Sequence, residues 1–555
     1  MVLRERLAEL LDLQTGTPAR PYSIGLRLKL AEAYKALGYP DLAAGDAYKA
    51  LLLVDEIVDE GEYYDDALAA AVADVSSTEN TVTADLATKG KDDNVGARTE
   101  DEAAIAWAMT TCSRTGHEIL VGCLIDCGCL RSAFDYNTRA LENFPGAACF
   151  ETYREALLTK LRSYFESQHE DFDAVDVQDY PDKGVVRREL YPWNVHEPDR
   201  FSDESIALLN QQLTAIAPKL EVKATELPLL SPAKMILSTS ACPETQGPFT
   251  KQLGLFAKED IAPGEKILQE KSLLTAVSRL HEYYCDACTA TLPHTIDPAP
   301  DGLQVCQDCD EAFFCSTDCY DLAREGYHPS LCGVSSDQKV PIAEVADALY
   351  AKLLVRALAL AETQDLHPLD LKEVRYIWGD YHGIDLHRQW EVDGNAFGPI
   401  PRTLPFSFHA NIITPLHVLE KMDVNIFERS HRYDTWVFNT LYGKFRGTAS
   451  ARQGLDGKPE IGAVHPMWSL ANHSCDPHVT WEWQGSMQLW TRKKLVAWQG
   501  RDSSRQPGMR KGEEVLSHYC DVRLPVQERR EWAMGALGGE CVCERCKWEA
   551  TQKEQ

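Results

Sequence analysis

No stretch of the chain approaches eighteen consecutive apolar residues, so no membrane span is expected. The opening residues MVLRERLAEL lack the apolar core of a secretory leader, which predicts a nuclear or cytoplasmic protein. Basic residues are comparatively scarce. The chain has 56 Lys and Arg against 85 Asp and Glu, a net charge of −29. A general phosphate-binding surface needs cations, so direct nucleic-acid binding is not expected. An acidic surface instead keeps a protein in solution and attracts basic partners. What the chain does have is length and cysteine. Its 555 residues predict two to four domains, and 44% hydrophobic residues suffice for proper cores. In a reducing compartment, 18 cysteines point to metal ligation or buried thiols, not to disulfides.

The first 166 residues read as helical. Segments 30–56 and 121–145 align at an offset of 90, with Gly38 on Gly128, Ala43 on Ala133, Ala50 on Ala140 and Leu51 on Leu141. Small residues at these spacings let paired helices approach, and each Gly falls at a turn. Both segments resemble tetratricopeptide units, and 152–165 predicts a capping helix. The polar stretch 77–102 reads as a flexible loop, and 167–230 as an acidic linker with connecting helices. From residue 231 short strand-like runs begin. They are interrupted by cysteine-rich sequence at 281–335, then by a helical pattern within 336–435 that includes 342–362. The loop 501–512 reads as an insertion between two strands.

The cysteine-rich segment offers four ligand pairs: Cys285 and Cys288, Cys306 and Cys309, Cys315 and Cys319, His328 and Cys332. Eight ligands fill two tetrahedral zinc sites with no position open to water, so the metal there is structural. Spacing alone allows either sequential or interleaved pairing. Near the end, Cys541, Cys543 and Cys546 need a fourth ligand, for which Cys475 is the candidate and Cys520 the competitor. Cys123, Cys127 and Cys129 lie in a helical hairpin and read as buried thiols.

Several of these stretches together resemble one family. NHSCDPH (472–478) resembles the NHSCxPN signature of SET-domain lysine methyltransferases. GEEVLSHYCD (512–521) resembles that family's GEE-x4-Y element, and GLFAKEDIAPGEKI (254–267) its opening strands. The cysteine-rich insert is similar to a MYND zinc finger, and the last three cysteines to a post-SET site. The resemblance covers roughly 247–548. It implies a multidomain α+β chain: TPR-like hairpins over 1–166, the linker at 167–230, and a mainly β SET domain over 231–525. That domain is split by the finger at 281–335 and a helical insert at 336–435, and closed by a post-SET segment at 526–555.

The resemblance also implies interleaved zinc pairing. Cys285, Cys288, Cys315 and Cys319 form one set, and Cys306, Cys309, His328 and Cys332 the other. Cys475 closes a third site with Cys541, Cys543 and Cys546, giving three zinc ions. The cofactor implied is S-adenosylmethionine, held by Gly254, Asn472 and His473, with Ser469 and Asn439 near the cavity. Tyr519 is the implied catalytic residue. The expected activity is methyl transfer to a lysine of a histone or non-histone protein, with peptide partners for the finger and the helical units.

This chain departs from the family at several positions. His478 replaces the signature's final Asn, and Gln252 stands where a second Gly is usual. Leu537 and Gly539 occupy positions where aromatics line the lysine channel, with Trp532 as a substitute aromatic nearby. These departures sustain an alternative, a SET/MYND scaffold with weak or no activity that binds partner peptides in transcription or chromatin regulation.

Overall fold

A computed structural model describes residues 2–83, 99–228, 230, 249–277, 283–293, 302–334, 345–379, 381, 402–453 and 459–552. The chain divides into two compact units. One comprises Met1–Trp193 with Trp390–Asn439, the other Asn194–Gln389 with Thr440–Gln555.

The first unit is mainly helical. Ser23 caps the helix Ile24–Ala36 by accepting the Leu26 N–H, and Pro40 at the first turn starts the helix Pro40–Val58. Gly38 sits between them at φ 78°, a backbone conformation that favours glycine. The second hairpin pairs Ser113–Cys127 with Leu130–Asn143, and Gly128 at φ 83° makes its turn. Ala43 and Ala133, matched by the 90-residue offset, are both fully buried. A Cβ on Gly116 would stand 2.8 Å from Leu51, so two helices touch there through hydrogen alone. The helix Ala148–Ser167 follows.

Part of the polar stretch 77–102, read from sequence as a loop, is helical. Residues 77–83 end the helix Tyr64–Thr83, and Thr99 caps the helix Glu100–Trp107 with a reciprocal Glu102 contact. The remainder, 84–98, lies outside the described residues.

Residues 402–435, read from sequence as part of the SET insert, belong to this first unit, as do 436–439. The strand Arg402–Phe406 pairs antiparallel with Gly184–Arg187. Lys49 makes a buried ion pair of 2.8 Å with Asp434, and Arg27 one of 3.0 Å with Asp46. Buried charges need partners, so these contacts fix which segments pack together.

The described residues of the second unit form four small antiparallel sheets. Leu220–Pro228 pairs with Phe249–Ala257, placing Lys223 opposite Gly254. Val479–Trp483, Met487–Thr491 and Lys266–Glu270 form one three-stranded sheet, and Thr275–Val277, Pro459–Ala463 and Ser450–Gln453 another. Their apolar residues, among them Val222, Leu255, Leu268, Ile461, Val479 and Leu489, make one core with Val515. The cysteine-rich module contributes the short pair Gln304–Val305 and Phe313–Phe314, then the helix Thr317–Gly326. It is fastened by Asp286, which pairs with Arg356 at 3.0 Å and accepts the Tyr327 hydroxyl at 2.6 Å. Arg356 lies in the helix Val345–Thr363 and stacks 3.6 Å over the Tyr327 ring. No described helix is long and apolar enough to cross a membrane.

Candidate functional site

Three cysteine-rich quartets have their ligand atoms within 4.8 Å of one another: Cys285, Cys288, Cys315 and Cys319; Cys306, Cys309, His328 and Cys332; Cys475, Cys541, Cys543 and Cys546. A tetrahedron with zinc–sulfur bonds of about 2.3 Å has edges of about 3.8 Å. Sulfur separations lie around that figure: 3.7 Å for Cys288 to Cys315, 3.8 Å for Cys306 to Cys332, and, at the third quartet, 3.9 Å for Cys475 to Cys541 and 3.4 Å for Cys475 to Cys546. The donor sets and spacings therefore fit tetrahedral zinc.

The third quartet is surrounded by arginines. Arg529 contacts Cys546 Sγ, and Arg545 donates to the Cys475 carbonyl at 2.9 Å. Four thiolates on a divalent ion leave an excess of negative charge, which these guanidinium groups offset. Cys520, the competitor for the fourth position, instead groups with Cys475 and His473 beside the quartet. Cys123, Cys127 and Cys129 are buried in their hairpin, and burial pushes all three thiols up.

Another grouping, His196, His367 and Asp370, has a different geometry. The two rings stack 3.6 Å apart and 3° from parallel. Imidazole lone pairs lie in the ring plane, so stacked rings do not converge on one ion.

Around the NHSC segment the contacts form a second cluster. The turn Trp468–Leu470 is held at its start by Glu270, whose buried carboxylate accepts the Met467 N–H at 3.0 Å and the Trp468 N–H at 2.8 Å. Sequence reasoning gave Glu270 no role; a Glu in a strand carries no signal that it will cap a turn nearly 200 residues away. Asn472 donates through Nδ2 to the Leu253 carbonyl at 3.1 Å and to Glu514 Oε1 at 2.7 Å. With both donors committed, its Oδ1 remains an acceptor. Gly254 completes this cradle. A Cβ there would lie 2.7 Å from Glu514 Oε1 and 3.1 Å from Asn472 Nδ2, so glycine lets the Asn472–Glu514 pair close over the backbone.

Main-chain bonds bring the two motifs together. Ser517 N–H donates to the Asn472 carbonyl and Ser474 N–H to the Ser517 carbonyl, each at 2.8 Å. Tyr519 thereby comes to lie beside His473, with ring centroids 5.1 Å apart. The Tyr519 hydroxyl donates to the Ala471 carbonyl at 3.0 Å. Burial raises its pKa well above the ordinary tyrosine value, so it stays protonated at neutral pH. Burial also pushes the His473 imidazole down to about 4.

The other sequence candidates make contacts of their own. Ser469 Oγ donates to the Pro466 carbonyl at 2.8 Å within its own turn. Asn439 is buried in the first unit, where it accepts from Asn411 at 2.9 Å and donates to Asp41 at 2.8 Å. His478, in place of the signature Asn, has Nδ1 at 3.1 Å from the Glu514 carbonyl. Gln252 sits in the strand opposite Thr225. Leu537 packs against the thiol cluster. Trp532 is 55% exposed, so it does not replace a buried channel aromatic. At Gly539 a Cβ would meet the Leu230 carbonyl at 2.8 Å, which leaves no room for a ring.

No protein-family model matches the chain. Among curated proteins it is similar to "Potential protein lysine methyltransferase SET6" of Saccharomyces cerevisiae, at 27% identity over 140 residues. The match covers 25% of this chain and 32% of that protein, so it spans about a third of the relative's length. This distant similarity supports a SET-like methyltransferase at the level of the family.

Proposed function

We propose that the chain is an S-adenosylmethionine-dependent protein-lysine N-methyltransferase. The observation that carries the reading is the convergence of Gly254, Asn472, Glu514 and Tyr519 next to a thiolate quartet. The cofactor would supply an electrophilic methyl group on a sulfonium. Asn472 Oδ1, beside Gly254, would accept from the α-ammonium of its zwitterionic amino-acid end, with Glu514 as a nearby countercharge.

The acceptor must be a neutral amine. A free lysine has a pKa of about 10.4, so neutralising it at pH 7 costs about 4.6 kcal/mol. Desolvation beside the buried Tyr519 lowers that cost, because burial disfavours the ammonium. Tyr519 does not take the proton, since its own hydroxyl is held neutral. Its role is placement: the hydroxyl proton is fixed on the Ala471 carbonyl, so the oxygen lone pairs face away from that bond. Those lone pairs would orient the amine and accept weak C–H contacts from the methyl group. The substrate would be a lysine on a basic protein segment, which suits a chain of net charge −29.

A scaffold without turnover is the second reading, favoured by the Leu230 carbonyl that fills the aromatic position at Gly539. Titration of S-adenosylmethionine into the zinc-loaded full chain by calorimetry separates the two. Micromolar binding that is lost in Asn472→Ala supports the enzyme; no heat at millimolar cofactor supports the scaffold. For the enzyme, Tyr519→Phe should cut methyl transfer to protein by about 100-fold or more with cofactor affinity little changed.

A further inference from the structure

Both ring nitrogens of His473 are engaged, by partners of different kinds. Nδ1 lies 3.1 Å from the backbone nitrogen of Tyr519, and a backbone N–H can only donate. Nδ1 is therefore unprotonated, and the neutral ring carries its proton on Nε2. Nε2 lies 3.3 Å from Sγ of Cys475, a member of the third quartet. The imidazole thus accepts from the tyrosine's main chain and donates to the thiolate. The segments on either side are already locked together by a parallel bridge between His473 and Ser517.

We infer that His473 is a positioning residue that ties the Tyr519 backbone to the zinc-bound Cys475 thiolate, so that zinc at the third quartet sets where the tyrosine stands. Only the catalytic meaning of that placement rests on the proposed methyl transfer; the link itself does not. A hydrogen bond to a metal-bound thiolate stabilises its negative charge, and loss of such outer contacts typically weakens metal affinity about 10–100-fold. An amide proton deprived of its acceptor in a buried site becomes free to exchange.

Two substitutions separate the two halves of the link. His473→Asn places an amide where Nδ1 stands, keeps an acceptor for the Tyr519 N–H, and falls short of Cys475. His473→Gln reaches toward the thiolate with a donor and withdraws the acceptor. The zinc-loaded full chain is challenged with a chromogenic chelator, and hydrogen exchange is followed at the Tyr519 amide. H473N should release one zinc equivalent about 10–100-fold faster while the Tyr519 amide stays protected. H473Q should hold zinc as the wild type does, while exchange at Tyr519 speeds up at least about tenfold. Removing the third zinc from the wild type should also speed that exchange. Retention of the zinc in the two finger quartets controls for folding.

Equal zinc release from both variants overturns the link, as does a Tyr519 amide indifferent to H473Q and to zinc removal. Loss of the third zinc in H473N together with its retention in Cys475→Ser also overturns it, since His473 would then be a ligand. In turnover, H473Q should lower kcat more than it raises KM for the protein substrate. A wild type that meets the zinc and exchange expectations but binds no cofactor would refute the proposed function and leave the link standing.

Discussion

The tightest constraint on the cofactor cradle is at Gly254, and Gly254→Ala tests it with a single methyl group. Gly254 lies in an ordinary strand conformation, so alanine brings no backbone strain there. Only space opposes it. The new Cβ would stand 2.7 Å from Glu514 Oε1 and 3.1 Å from Asn472 Nδ2. Glu514 cannot simply turn aside, because the same oxygen accepts Asn472 Nδ2 at 2.7 Å. To accommodate the methyl, the pair must separate. A hydrogen bond to a charged group contributes about 1.5–3 kcal/mol. At about 1.36 kcal/mol per tenfold, disrupting the cradle weakens S-adenosylmethionine about 10- to 150-fold. Calorimetric titration of the zinc-loaded chain measures this directly, with the thermal transition as a check on folding. A folded Gly254→Ala protein that binds cofactor within a factor of about two of wild type would refute the placement of the cofactor at this cradle.

Three further outcomes concern stability. Arg356→Leu takes its cationic partner from the buried Asp286, and breaking one partner of a buried pair costs about 3–5 kcal/mol; thermal melting or limited proteolysis of the finger should register it, and adding Asp286→Asn should recover part of the loss. Glu270 is raised by burial from 4.5 to about 7, with the nearby Glu373 adding a smaller upward push. Its folded form keeps a proton that the unfolded chain releases, so its contribution is full below about pH 4.5 and declines by roughly 3 kcal/mol as pH rises through about 7; Glu270→Gln should flatten that slope in urea melts, and an unchanged slope would count against the assignment. Chelation should release three zinc equivalents, one per quartet, and unfold the finger, because each structural site contributes on the order of 10–16 kcal/mol; two or fewer equivalents by elemental analysis would exclude one quartet.

Metal ligands were the most legible part of the sequence. Thiolates that hold one ion must sit at short fixed spacings, so Cys285-x2-Cys288 and Cys541-x-Cys543-x2-Cys546 announce themselves. The cradle was partly legible, through the NHSC and GEE stretches, although Glu514 emerged as an Asn472 partner only in three dimensions. Long-range partners of buried charges were not legible at all. Nothing in the sequence pairs Lys49 with Asp434 or Asp286 with Arg356, because ion pairs have no period and no fixed separation. The same limit holds for 402–435, which the sequence reads as part of the helical insert and which falls in the first unit. Its helical pattern predicts helices, but which unit those helices join is decided by Asp434 and by the strand Arg402–Phe406. Asn439 illustrates the same limit, since both ends of its amide are taken by Asn411 and Asp41.

The aromatic-poor segment 537–539 acquires a physical reason from its surroundings. Leu537 packs against the third quartet, where an apolar side chain shields thiolates from water. Gly539 faces the Leu230 backbone so closely that a Cβ would lie 2.8 Å from the carbonyl oxygen and 2.9 Å from the Leu230 Cβ. Backbone cannot move aside as a flexible side chain can, so glycine at 539 and the position of Leu230 imply each other. Restoring an aromatic by Gly539→Phe should therefore expel the 230 segment and destabilise the cap instead of rebuilding a channel wall. The ring that meets Tyr519 is His473, and the rings beside the adjacent His518 come from other places in the chain. Trp481 donates its indole N–H to the His518 carbonyl at 3.0 Å and stacks on the His518 ring, and Trp468 meets Trp481 edge-on at 5.8 Å. Aromatic mass beside His518 is thus supplied by the strand Val479–Trp483 and the turn Trp468–Leu470, which are braced by Glu270 and the sheet, not by the segment 537–539.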